Sequence, residues 1–164
     1  LRLLWATQTS QIDRQYDELR QKDMKALGLR VESRPAQWPD NLKNMRAGKL
    51  MIWSVGNSAS APDSQDTFDS GATAHIGGGN LARFSHKRYD AICARTNMLP
   101  DGPERLALFR EALRILAAYM PYKYYVHRIV TDLTHPWLVG YRKPPYWNQW
   151  WQYVDIEPHS RKAG

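Results

Sequence analysis

The residues able to do chemistry gather in one stretch, Ser54 to Gly79, which reads SVGNSASAPDSQDTFDSGATAHIGGG. Asp63, Asp66 and Asp69 recur at every third position, a spacing that sets three carboxylates on one face of a short helix. Such a row is ordinarily a solvated acidic face, and Asp63 stands apart from it because it lies nearest the strand that feeds the loop. Asp63 with His75 would supply the carboxylate and imidazole of a hydrolase, which is one reading of the stretch. Gly77-Gly78-Gly79 lacks the Lys-Ser/Thr of a phosphate loop and the G-x-G-x-x-G of a dinucleotide turn, so it reads as a hinge. His127, Asp132 and His135 fit no common zinc spacing and read as structural histidines. There is no H-E-x-x-H, and the single cysteine, Cys93, reads as a small buried apolar residue on a helix. No metal or cofactor is implied.

The elements that position this stretch alternate strand and helix. Leu1 to Ala6 is an apolar strand, and Ser10 or Gln11 opens a helix whose apolar positions are Ile12, Tyr16, Leu19, Met24 and Leu27, with Gly28 at its left-handed cap. Leu29 to Arg34 alternates as a second strand, Pro39-Asp40 begins a second helix that ends at Gly48, and Leu50 to Trp53 is a third strand. The order is βαβαβ, which predicts right-handed crossovers, parallel strands and a ligand edge at the strand carboxyl ends. The polar loop leaves the carboxyl end of the third strand, and its length in a compact domain favours function. A short helix is expected around Ser64 to Asp69, and another from Lys87 to Thr96 with Tyr89, Ile92 and Cys93 inward.

The clearest helix runs from Pro103 to Met120. Asp101 and Glu104 have capping-box spacing, Pro103 suits the first turn, and Pro121 stops the ladder. Leu106, Phe109, Ala112, Leu113, Leu116 and Met120 belong to a broad apolar arc that predicts packing on a sheet, with Leu113 in the core. Tyr122 to Thr131 reads as β-rich, and the following tail holds Trp137, Trp147, Trp150 and Trp151, expected to pack back on the sheet.

The chain has 164 residues, 43% hydrophobic and 24% charged, which suits one domain with a core. Its net charge of +7 and pI near 9.6 come from scattered Lys and Arg without a basic block, so nucleic acid is not the expected partner, and a basic interaction module is only an alternative reading. No apolar run approaches the roughly 20 residues that span a bilayer, so no membrane insertion is expected. A strand-like start at Leu1 without an initiator Met suggests a piece of a longer protein.

Several groups occur in order: Trp53, Pro62-Asp63, Phe68, Gly79-Asn80, Arg83-Phe84-Ser85, Tyr89-Asp90, Pro100-Asp101-Gly102-Pro103-Glu104-Arg105, His135-Pro136-Trp137, Gly140-Tyr141 and Trp151-x-Tyr153-x-Asp155. Together they resemble the carboxy-terminal lobe of the family 5 extracellular solute-binding proteins, the dipeptide, oligopeptide and nickel receptors of ABC importers. The resemblance implies an α/β, periplasmic binding protein type II-like lobe over residues 1–164, a substrate-binding rather than catalytic role, and a periplasmic location. It further implies an N-terminal lobe that closes on the ligand, and permease subunits as partners. In peptide-binding members an acidic residue in the loop after the third strand pairs with the peptide amine; here Ser60 stands at the first acidic position and Asp63 at the second. The expected ligand surface is Trp53, Ser54, Asn57, Ser60 and Asp63, with Asn80, Arg83 and Phe84 beside it. Either Asp63 pairs with an amine there or the ligand lacks a free amine.

Overall fold

Three parallel strands form the first layer of the computed structural model, which describes residues 1–56, 58–59, 61–125, 127, 129–143, 145–146 and 150–157. Strand β1 (Arg2–Thr7) leads through helix α1 (Gln11–Ala26) to β2 (Arg30–Pro35), and then through α2 (Trp38–Arg46) to β3 (Ile52–Trp53). The order is β2-β1-β3, with Trp5 level with Ser33 and Ile52, and Ala6 level with Trp53. The first crossover moves from β1 to β2 and the second moves back past β1 to β3, so right-handedness sends α1 and α2 to opposite faces. The expected βαβαβ order and parallel sheet are present. Ser10 caps α1 by accepting the Asp13 amide, and Gly28 takes the left-handed conformation beyond its end.

Two details of this layer differ from expectation. β3 is two residues long, shorter than the expected Leu50 to Trp53, and just before it the Leu4 amide donates to Met51 Sδ at 3.4 Å. On α1, Ile12, Tyr16, Leu19 and Leu27 are exposed, and the helix rests on the sheet through Asp13, Asp17, Arg20 and Met24. The Arg20 guanidinium lies 4.9 Å from the Trp5 ring and bonds Asp17 at 2.9 Å, so a cation–π contact and an ion pair occupy that interface.

The main apolar core lies in the second layer, formed by α3 (Gln65–Asp69), α4 (Lys87–Thr96) and α5 (Pro103–Tyr119). Phe68 stacks on Phe109 at 4.8 Å, and Tyr89, Ile92, Cys93, Ala112 and Leu116 close around them. The expected inward face of α4 is buried. α5, however, packs on α4 rather than on the sheet, with Ala112 allowing close approach. Its buried residues are Arg105, Phe109, Ala112 and Leu116, with Leu108 and Ile115 partly buried beside them, and Leu113 is 53% exposed, not core. The expected capping box is absent as well: Gly102 is the cap residue, Asp101 bonds Arg105, and Glu104 bonds Arg95.

The long loop folds back on itself around Asn80. Asn80 is fully buried, its amide donating to the carbonyls of Gly71, Ala72 and Phe84 and its oxygen accepting the Phe84 amide. Beyond α5, Tyr122 to Thr131 forms no strand among the described residues, and Tyr124, Tyr125 and Ile129 stand exposed. Among the described residues the tail does not form a layer on the sheet as expected. It forms its own antiparallel pair, β4 (Leu138–Val139) with β5 (Asp155–Ile156), and its described ring contacts are internal: His135 on Trp137, Tyr141 against Trp150. Gly140 is required there, since a Cβ would come within 2.5 Å of the Tyr153 carbonyl oxygen. Trp147 lies outside the described residues. No described helix is long and apolar enough to cross a membrane.

Candidate functional site

The carboxyl ends of β1 and β3 adjoin where the connections diverge, the place at which open parallel sheets collect ligands. Thr7 ends β1, Pro35 ends β2 and Trp53 ends β3. Helix α2 ties these ends together: the Asn41 amide donates to the Thr7 carbonyl at 2.7 Å, and the Gln37 amide just before the helix donates to Thr9 Oγ1 at 3.3 Å. Trp53 is buried, and the Trp38 ring leans on it at 4.9 Å with a 49° tilt. Trp38 is 40% exposed, so this aromatic pair reaches from the interior to solvent. The indole nitrogens of Trp5 and Trp53 and the Thr7 hydroxyl are buried without a hydrogen-bond partner among the described residues, leaving three polar groups unsatisfied at or near this edge.

From Trp53 the loop runs outward through half-buried Ser54 and exposed Val55 and Gly56. Asn57 and Ser60, both expected site residues, lie outside the described residues. Asp63 anchors the far end of the loop. Its Oδ2 accepts from Arg105 Nη2 at 2.8 Å and its Oδ1 accepts the Gln65 amide at 3.0 Å, and these bonds hold the carboxyl below its ordinary range. Arg105 is a buried hub, donating also to the Thr96 carbonyl, to Asp101 and to Gln65 Oε1. An open groove of about 540 Å³ runs between Pro62–Ser64 and the start of α5, floored by Leu106 and Phe109.

The other expected site residues stand elsewhere. Asn80 uses its amide within the chain, as described above. Arg83 takes a left-handed φ of 55° and donates to the Arg46 carbonyl at 3.2 Å, capping α2 at the end opposite Trp38. Phe84 packs against the helical core and contacts Tyr89, His86 and Tyr119. Asn80 and Phe84 thus make contacts within the chain along the loop's return path, while Arg83 is exposed and caps α2 through one guanidinium nitrogen. The hydrolase pair is not assembled, since the Asp63 carboxylate turns to Arg105 and Gln65 rather than to exposed His75. Among the described residues no cluster of three or more metal-ligating side chains occurs.

Sequence reasoning missed Trp38 and Arg105. Trp38-Pro39 follows the second strand directly, so the carboxyl-end rule applied to the second crossover would have found Trp38. Arg105 is 42 residues from Asp63, and nothing in the sequence joins them.

Comparison with known proteins gives this edge its context. No protein-family model matches the chain. It is 31% identical over 130 residues to Di/tripeptide-binding protein 2 of Pseudomonas aeruginosa, an alignment covering 78% of this chain and 24% of the relative. It is 27% identical over 131 residues to Heme-binding protein A of Haemophilus influenzae, covering 79% and 24%. The Escherichia coli murein tripeptide binding protein MppA superposes with a TM-score of 0.75 at 22% identity, over 95% of this chain and 31% of that one. Over that span the fold is the α/β, periplasmic binding protein type II-like one. The resemblance seen in the sequence is borne out by these relatives, which are binding proteins by name. The chain spans about a quarter of the length of the curated relatives, 24% in each case.

Proposed function

We propose that this chain is one lobe of a periplasmic receptor of an ABC importer, taking peptides or related small solutes at the carboxyl edge around Trp38 and Trp53. The observation that carries this reading is the 31% identity to a di/tripeptide-binding protein. The position of the aromatic pair supports it: an aromatic face at a sheet's carboxyl edge suits a peptide backbone and its side chains. In this reading residues 1–164 form a single lobe of a larger two-lobed protein, the first lobe closes over the edge, and permease subunits receive the loaded receptor. Binding, not catalysis, is its role.

The test uses the receptor with both lobes. Calorimetric titration against a panel of dipeptides and tripeptides is expected to give saturable binding that Trp53→Ala removes. Saturable binding of heme and of no peptide would replace the peptide reading with that of the second relative.

A further inference from the structure

Between Trp53 and Asp63 the chain carries no charged residue, and Asp63 is the first carboxylate the loop offers. That carboxylate has a cationic partner inside the chain, Arg105 at 2.8 Å, and both of its oxygens already accept a hydrogen bond. We infer that this lobe holds the ligand segment nearest the β3 edge through neutral contacts, and that Asp63 is a positioning residue that pins the loop instead of pairing with a ligand amine. The inference rests on the peptide-receptor reading.

The physical argument is one of competition. The Arg105 side chain is only 10% exposed, against 46% for Asp63, so removing its partner would strand a guanidinium in a largely dry setting. An incoming ammonium would have to draw Asp63 from that guanidinium or share its charge with it. Arg105 also bonds Asp101 at 2.5 Å, leaving the trio with one surplus negative charge. That surplus belongs on Asp101, whose side chain is 93% exposed and solvated at the start of α5. Asp69 is engaged too, by the Gln65 and Asn97 amides. The groups offered next to Trp53 are Ser54, backbone amides and carbonyls, and the aromatic faces of Trp38 and Trp53. These recognise polar, uncharged atoms and side-chain surface.

The test compares two probes, Ala-Ala-Ala and N-acetyl-Ala-Ala-Ala, titrated into the wild-type two-lobed receptor and into Asp63→Asn. The ratio of the two affinities should change less than threefold on substitution, whatever its absolute value, because any amine contact made by another lobe cancels in the comparison. A fall of tenfold or more in the preference for the free amine would place the amine on Asp63 and overturn the inference. A second measurement needs no ligand: melting temperatures of Asp63→Asn, Arg105→Lys and the double variant. The two single shifts should exceed the double shift when summed, since the pair is one interaction; strict additivity would mean that Arg105 does not hold Asp63, and would overturn it as well. Should neither peptide bind the wild type, the peptide reading falls, while the melting cycle still decides whether Asp63 is held from within.

Discussion

Trp38 and Trp53, 15 residues apart in sequence, meet at a ring-centroid distance of 4.9 Å and join the first turn of α2 to the last residue of β3. Their contact converts two separate strand-to-loop junctions into one continuous surface. The buried member fixes the geometry and the half-open member meets solvent, a division common where an aromatic ring is both core and contact.

Substitution of the outer ring tests that surface. Trp38→Ala in the two-lobed receptor should weaken peptide binding by about 0.5–1.5 kcal/mol, the range for an aromatic contact beyond area burial. The melting temperature should move little, because Trp38 is substantially exposed. Unchanged affinity by calorimetry would remove Trp38 from the binding surface.

Helix α5 offers a paired comparison of stability. Leu116 belongs to the buried cluster with Phe109 and Ala112, so Leu116→Ala in this chain should cost about 2–5 kcal/mol in urea denaturation. Leu113 stands three residues earlier on the open side, and Leu113→Ala should stay within about 0.5 kcal/mol. Equal losses would mean that the helix is turned differently from the arrangement described.

The Asp63–Arg105 pair carries a pH signature. Arg105 holds the Asp63 carboxyl below its ordinary 3.8, so the native state binds that proton less readily than the unfolded chain. Its contribution to stability is therefore complete above that ordinary value and is lost as pH falls through the depressed native one. Solvent screening keeps the effect small, because the Asp63 side chain is 46% exposed. Chemical denaturation followed from pH 6 down to about pH 2 should show a shallower acid limb for Asp63→Asn than for the wild type. Parallel limbs would contradict the pairing.

Cys93 should be inert in the folded chain. It is buried within the helical core, and burial pushes its thiol up to about 11, so almost no thiolate is present at pH 8. A thiol-specific disulfide reagent should label it only after addition of denaturant. Rapid labelling of the native chain would mean that α3 and α4 open readily.

How much of this was legible in advance follows the range of the interactions. The βαβαβ order, the caps at Ser10 and Gly28, and the inward face of α4 rest on contacts within a few residues, so periodicity and turn residues were enough to place them. The carboxyl edge at Trp53 followed from that order alone. Which face of α1 meets the sheet did not, because the apolar stripe was outcompeted by Arg20 stacking on Trp5 and pairing with Asp17, a contact that depends on where the strand lies. The breadth of the α5 apolar arc suggested a sheet partner, yet Phe68, Ile92 and Cys93 supplied a helical one and left Leu113 outside. The fate of Asp63 was likewise decided in three dimensions. Sequence could name the carboxylate and its loop, but only the packing of α5 brought Arg105 from 42 residues away to meet it, because a charge finds its partner through space and leaves no periodic trace along the chain.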